Sequence, residues 1–363
     1  MKKYIKSLLS LIPLAIMGIG TTCVVKNFRG LNYDINSTQN VGNSIKIVSE
    51  DTDSITIKKI NEGKFKVLMF TDLHLNGKKK TDNLAIKNLL KNIIEEKPDL
   101  VIFGGDTITS GFSKKLTRDF ADIMEKTGVY WTTVLGNHEG EGPCTFSRKE
   151  FIELFASYEH CLIKSGLEDI DGNGNCTINI LNTDNALKEV FFLMDSGDYM
   201  TKELKEKYGV EKKGQVYDGI KESQVEWYKE KHNSIKNIYG DFKSIAVMHI
   251  PPYECANAEN YEFLYGKKRE GICQAGFNSG ILNAFAKTGN TQAVYFGHDH
   301  INDFGYMYGN ILLSYIQASG YGSYNMKTCF NSPESEWLQG CTVLIFNDDG
   351  TYEAKRKFNH KGQ

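Results

Sequence analysis

The chain has 363 residues, 43 Lys plus Arg against 45 Asp plus Glu, 40% apolar and aromatic residues, and 34 glycines beside 6 prolines. That balance excludes disorder, collagen and coiled coil as overall descriptions. A formal charge of −2 offers no general electrostatic footprint for nucleic acid, so none is expected as the main partner and any phosphate chemistry must come from a local site.

The N-terminus is set aside before a fold is read. Lys2, Lys3 and Lys6 precede an apolar run from Leu8 to Ile19, followed by Gly20, Thr21, Thr22 and Cys23. This is the layout of a secretory signal with a short hydrophobic region, and it leads to the expectation of an extracytoplasmic protein, secreted or attached to the cell surface. An uncleaved membrane anchor is the alternative, because Ser7 to Val25 is just long enough to span a bilayer. Cys23 stands where a bacterial lipoprotein signal places its acylated cysteine, which makes it a lipidation candidate, although Thr22 departs from the small residue usual before it. Removing residues 1–22 takes three lysines and moves the formal charge from −2 to −5. Residues 23–44 read as a polar linker rich in asparagine, and residues 45–363 as the folded domain.

From Ile45 onward, apolar runs rich in β-branched and aromatic residues alternate with helical patterns. A strand is expected over 65–70 (FKVLMF), a helix over 82–96, a strand over 100–103 (LVIF), a helix over 114–126 and a strand over 129–135 (VYWTTVL). This βαβαβ wiring implies an α/β domain with parallel pairing. Further strands are expected over 189–195, 244–249, 292–296, 310–316 and 342–346, with helices over 221–237 and 279–287 and a peripheral loop over 330–340.

The informative positions are where strands stop. The first runs into Asp72 and His74 (TDLH), the second into Asp106 (GGD), and the third into Asn137, His138 and Glu139 (GNHE). Two later strands end in His249 (MH) and in His298 and His300 (GHDH). Five of the eight histidines thus lie at C-terminal strand ends, where open α/β sheets bind ligands. Singly, an Asp-x-His is more often a surface pair and a Gly-Asp after a strand more often a turn. Five such pieces on five strand ends supply enough oxygen and nitrogen donors for two metal ions, and Asp106, alone on its loop, suits a shared ligand.

In this order TDLH, GGD, GNHE, MH and GHDH resemble the calcineurin-like metallophosphoesterases, from Phe65 to about Asn325. The strings DIDGNGN, MDSGDY, ESQVEWY, REGICQAGFNSG and GHDHINDF are similar to a plant and fungal branch of small proteins related to purple acid phosphatases. The resemblance implies a four-layer αββα sandwich: two mixed sheets flanked by helices, with a dimetal site at one edge. It also implies that Asp72, His74, Asp106 and His300 hold one ion and that Asp106, Asn137, His249 and His298 hold the other. His138 is then no ligand but faces the phosphoryl oxygens, and a water between the two cations becomes the nucleophile. The implied activity is phosphoester hydrolysis, with a phosphomonoester as the first expectation and a phosphodiester or a non-catalytic binding role as alternatives.

The coloured purple acid phosphatases carry a tyrosine three residues after the bridging aspartate, where this chain has Thr109. The ions, divalent or trivalent, are therefore expected to be manganese, zinc or iron without an iron-tyrosinate colour. The segment from Tyr253 through Tyr265 to Lys267, Lys268 and Arg269 is expected to cover the centre, with Arg269 as a bidentate phosphate ligand and the lysines as solvated charge. DGNGNC (171–176) begins like a calcium loop but has Cys176 where glycine is needed, so it reads as a turn. Cys144, six residues beyond His138, raises a thiol nucleophile as a lesser rival. Beyond Cys23 there are seven cysteines, an odd number without a CxxC pair, and their pairing stays open.

Overall fold

The computed structural model describes residues 38–109, 113–142, 145–347 and 351–360. The N-terminal segment with Cys23, and Cys144, lie outside the described residues. In chain order, β1 (Ile45–Glu50) and β2 (Ser54–Lys59) form a hairpin. The expected alternation follows: β3 (Phe65–Phe70), α1 (Lys79–Glu96), β4 (Leu100–Phe103), α2 (Lys114–Lys126) and β5 (Trp131–Thr133). Next come α3 (Arg148–Ala156), β6 (Cys176–Leu181), β7 (Leu187–Leu193), α4 (Lys202–Lys207), α5 (Glu222–Tyr239) and β8 (Ser244–Val247). A 3₁₀ segment (Tyr253–Asn260), β9 (Phe263–Tyr265), α6 (Ile281–Thr288), β10 (Thr291–Phe296), β11 (Gly305–Tyr308) and β12 (Ile311–Tyr315) lead to α7 (Met326–Phe330), β13 (Gly340–Phe346) and β14 (Tyr352–Phe358).

Two mixed sheets result. The larger has the order β1-β2-β6-β7-β8-β10-β12-β11-β9 and the smaller β14-β13-β3-β4-β5. In the smaller sheet β3, β4 and β5 are parallel, and in the larger β7, β8, β10 and β12 are. Side chains alternate across the larger sheet as strand geometry requires. Phe191, Leu193, Ile245, Val247, Ala293 and Tyr295 share one core with the smaller sheet. Their neighbours Val190, Phe192, Ala246, Val294 and Phe296 pack on Trp227 and Tyr228 of α5 and on Leu282 and Phe285 of α6. On the smaller sheet, the Phe103 ring meets Phe120 of α2 edge-on at 5.1 Å, and Trp131 meets Phe155 of α3 at 5.2 Å. The layers are therefore helix, sheet, sheet, helix, the four-layer α/β sandwich.

Both sheets are covered on two faces in their centres, so β4 and β8 are buried throughout, whereas the edges are not. β1 exposes five of its six residues, and β14 (YEAKRKF) carries charge along an edge, which protects a sheet from unwanted pairing. Among the described residues no helix is long and apolar enough to cross a membrane. The six described cysteines are all free. DGNGNC is a turn: Gly172 and Gly174 take positive φ, and β6 begins at Cys176.

Candidate metal centre

Five parallel strands, three from the smaller sheet and two from the larger, end at one place. β3 delivers Asp72 and His74, β4 Asp106, β5 Asn137 and His138, β8 His249, and β10 His298 and His300. The chain turns sharply as it leaves them. Asp72, His74, Asp106 and His298 have φ of 53°, 47°, 50° and 80°, in the left-handed region. Non-glycine residues there cost of order 1–3 kcal/mol each and persist only where surrounding contacts hold them. Glycines let the loops close up: a Cβ on Gly136 would lie 2.1 Å from Asp106 Oδ1, and one on Gly297 would lie 2.7 Å from Asp72 Oδ2.

The side chains converge as the sequence reading expects. His74 Nε2 lies 3.6 Å from Asp72 Oδ1 and 3.5 Å from Asp106 Oδ2, and His300 Nε2 lies 3.4 Å from Asp72 Oδ1. On the other side of Asp106, His249 Nε2 is 3.2 Å from the same Oδ2. Asp72, His74 and His300 make one group of donors, and Asp106, His249 and His298 another. Asp72 Oδ1, His74 Nε2, Asn137 Oδ1, His249 Nε2 and His298 Nε2 are buried without a hydrogen-bond partner. Five orphaned donors in one place would cost several kcal/mol if nothing met them, and a cation satisfies all of them. The residues present therefore fit metal ions.

Outer contacts aim the donors. His249 Nδ1 donates to Gly104 O at 2.8 Å, which leaves its Nε2 lone pair free, and His300 Nδ1 does the same with Tyr324 O at 3.0 Å. The Tyr324 ring stacks on His300 at 4.1 Å. Thr71 Oγ1 donates to Asp72 Oδ2, which also accepts from the His298 amide. Asn137 Nδ2 donates to the Tyr199 hydroxyl at 3.2 Å, so the amide oxygen is the end left unpaired. His138 is a third exposed; its Nδ1 is 2.7 Å from Glu141 Oε2 and its Nε2 is 3.9 Å from Asp106 Oδ2.

Electrostatics follow from burial and these pairs. Burial opposes the Asp106 carboxylate, yet His249, His74 and His138 outweigh it and hold its pKa far below the usual range. Burial pushes His249 down, but Asp106 overrides this and raises it to about 10. His298, buried beside His249, is pushed down to about 3. For His138 the upward pull of Asp106 and Glu141 exceeds the downward effect of burial.

Some functional neighbours escaped the sequence reading. The GNHE pattern gives Glu139 no role, yet its carboxylate ties the Asp106 and Asn137 loops together. Arg148 opens α3 and reaches Gly136 O and Asp195, a contact no local pattern announces. Tyr324, which lies in no motif, orients His300 through its main-chain oxygen. The segment expected over the centre is anchored on the larger sheet. β9 joins the edge of the larger sheet through β11, the Phe263 ring stacks on Phe304, and Tyr265 OH bonds Ser314. Arg269 is likewise no free guanidinium: Asp303 holds it and also takes Arg356 at 2.6 Å. Arg269 lines a cleft of about 650 Å³ that none of the eight converging residues borders.

Two mixed sheets flanked by helices, with oxygen and nitrogen donors gathered at their strand ends, define a metallophosphoesterase fold. The chain belongs to the calcineurin-like phosphoesterase family, whose model matches residues 65–302. It is 28% identical over 300 residues to probable inactive purple acid phosphatase 14 of Arabidopsis thaliana, covering 72% of each chain. It is also 28% identical over 315 residues to probable inactive purple acid phosphatase 28 of the same plant, covering 77% of this chain and 76% of that one. Among solved structures, a dimetal phosphatase from Danio rerio shares the fold with a TM-score of 0.51 at 14% identity, over 78% of this chain and 93% of that one. The family implies two metal ions.

Proposed function

We propose that this protein is an exported, metal-dependent phosphoester hydrolase acting first on phosphomonoesters. The observation that carries the reading is the set of five buried donor atoms, from four loops, that have no partner within the protein. Asp72, His74, Asp106 and His300 would hold one ion, and Asp106, Asn137, His249 and His298 the other. Manganese, zinc and iron all suit this donor set. When bound, the two ions supply Lewis acidity that makes water nucleophilic at neutral pH and offsets charge on the phosphoryl oxygens.

The chain's own residues supply the rest. Asp106 sets the spacing of the two halves, since both donor groups meet its carboxylate. His138 turns Nε2 toward the centre while Glu141 accepts from Nδ1, so an imidazolium there can donate a proton to the leaving oxygen and steady the charge that develops. The names of the Arabidopsis relatives call those proteins probably inactive. Here Asp72, His74, Asp106, Asn137, His138, His249, His298 and His300 are all present, which supports an active enzyme.

The test is hydrolysis of para-nitrophenyl phosphate and of its bis-ester with manganese, zinc or iron, beside an Asp106→Asn control. Metal-dependent cleavage absent from the control supports the hydrolase, and the ratio of the two rates separates monoesterase from diesterase. A folded, metal-loaded protein that cleaves neither ester speaks for a binding role instead. Export and surface attachment rest on the Lys2 to Cys23 pattern. Release of Cys23→Ala from the membrane fraction would support lipidation, and unchanged retention would favour the uncleaved anchor.

A further inference from the structure

Cys273 lies outside every role assigned so far, yet it stands beside the centre. Its Sγ, a ring nitrogen of His298 and a carboxylate oxygen of Asp299 all lie within 4.8 Å of one another, the only such group with a cysteine among the described residues. His298 is more than nine-tenths buried, and its Nε2 has no hydrogen-bond partner. The same imidazole belongs to the Asp106–His249 group, so it stands between two sets of donors. Cys273 itself is only partly covered, which leaves a route for an ion.

The three donors are held by the fold rather than gathered by chance. The Cys273 amide donates to both Asp299 oxygens, at 3.3 and 3.1 Å, and Tyr315 OH donates to Asp299 Oδ2. That leaves lone pairs on the carboxylate for a further partner. The loop carrying Cys273 is tied down just before it: the amides of Arg269 and Glu270 donate to Asn302 Oδ1, and Glu270 Oε1 accepts from the Ile301 amide. Around a tetrahedral zinc ion, sulfur and nitrogen donors sit about 3.5 Å apart, so closing the group needs a movement of roughly 1 Å.

We propose that Cys273, His298 and Asp299 form a third metal site, for a thiophilic divalent ion such as zinc or cadmium, and that filling it shuts the dimetal centre by engaging His298. Sulfur beside nitrogen and oxygen makes this set softer than the centre's own ligands, which favours zinc or cadmium over manganese. On binding, the S–H bond breaks, the proton leaves to solvent and a sulfur–metal bond forms with no change of oxidation state. The inhibitory consequence rests on the hydrolase reading; the site itself does not.

The experiment titrates the full-length, manganese-loaded protein with cadmium and follows the ultraviolet thiolate-to-cadmium absorption. It is run on wild type, Cys273→Ser, Cys329→Ser and Cys144→Ser. A band in wild type and in the last two variants, absent from Cys273→Ser, is the expected result. Iodoacetamide labelling of wild type with peptide mapping gives a second readout that needs no variant: zinc should protect Cys273 and leave the exposed Cys329 reactive. If the manganese enzyme hydrolyses esters, zinc inhibition should weaken roughly tenfold or more in Cys273→Ser while activity without zinc is unchanged. No band in wild type, a band that survives Cys273→Ser, or no protection of Cys273 overturns the site. A band without any hydrolysis overturns the hydrolase reading and leaves the site standing.

Discussion

The Glu139 carboxylate holds the Asp106 loop by its main chain. Oε2 accepts from the Asp106 amide at 3.0 Å and the Gly136 amide at 2.7 Å, while Oε1 accepts from Thr107 at 2.6 Å and Ile108 at 3.1 Å. Every one of these donors is buried, and a glutamine can accept with only one of its two ends. Glu139→Gln therefore turns an NH₂ group against two amides. We expect a loss of about 2–4 kcal/mol in denaturant unfolding and a metal affinity lower by roughly 10–100-fold, measured by equilibrium dialysis. Stability and metal content equal to wild type would show that the loop holds without it.

Arg148 makes the corresponding link on the other side. Its guanidinium donates to Gly136 O, to Glu139 O at 3.3 Å, to Asp195 and to Gly197 O at 3.4 Å. Removing one partner of so buried a pair leaves the other charge uncompensated, so Arg148→Met should cost about 3–5 kcal/mol. Arg148→Met with Asp195→Asn should recover part of that loss, because no charge is then stranded. A double variant no more stable than the single one would mean that the carbonyl contacts, not the ion pair, carry the effect.

Much of this centre was legible because its ligands sit in short loops directly after apolar strands. β3, β4 and α2 have the boundaries read from the sequence, since LVIF and FKVLMF are buried on both faces and leave no ambiguity of period. β1, β2, β6, β9, β11 and β14 were not anticipated. Edge strands such as YEAKRKF bury too little to show an apolar signature, and β11 places buried Tyr306 beside exposed Met307. Expected ends also ran long: VYWTTVL forms ladder pairs only over Trp131–Thr133, because the chain is already turning toward Asn137. The Glu139, Arg148 and Tyr324 contacts were out of reach because each joins segments through a side chain whose partner is a main-chain atom, and main-chain atoms carry no sequence signal.

Thr109 bears on colour. Its amide donates to Leu75 O at 3.0 Å, and its side chain offers no phenolate where the coloured enzymes have one. Iron-loaded protein should therefore lack the visible tyrosinate band whatever its activity. Tyr199 and Tyr217 stand near Asn137 and His298, so the inference is exposed to a direct check. A purple iron-loaded preparation that loses its colour in Tyr199→Phe or Tyr217→Phe would show one of these hydroxyls acting as a ligand.

His138 and Glu141 set the pH dependence. Burial alone would lower the imidazole's pKa, but the Asp106 and Glu141 carboxylates raise it. A group that donates a proton to the leaving oxygen works only while protonated, so kcat should fall as pH rises through its pKa. Glu141→Gln withdraws one of the carboxylates that raise it, lowers that pKa and moves the alkaline decline to lower pH. The plateau rate below the decline should change far less, since His138 stays in place. His138→Asn should instead cut the plateau kcat by roughly 10²–10⁴-fold and remove the alkaline limb, while bound metal per chain stays at the wild-type value. An alkaline limb that persists in His138→Asn would assign the proton to another group. Metal lost along with activity would make His138 a ligand rather than an acid.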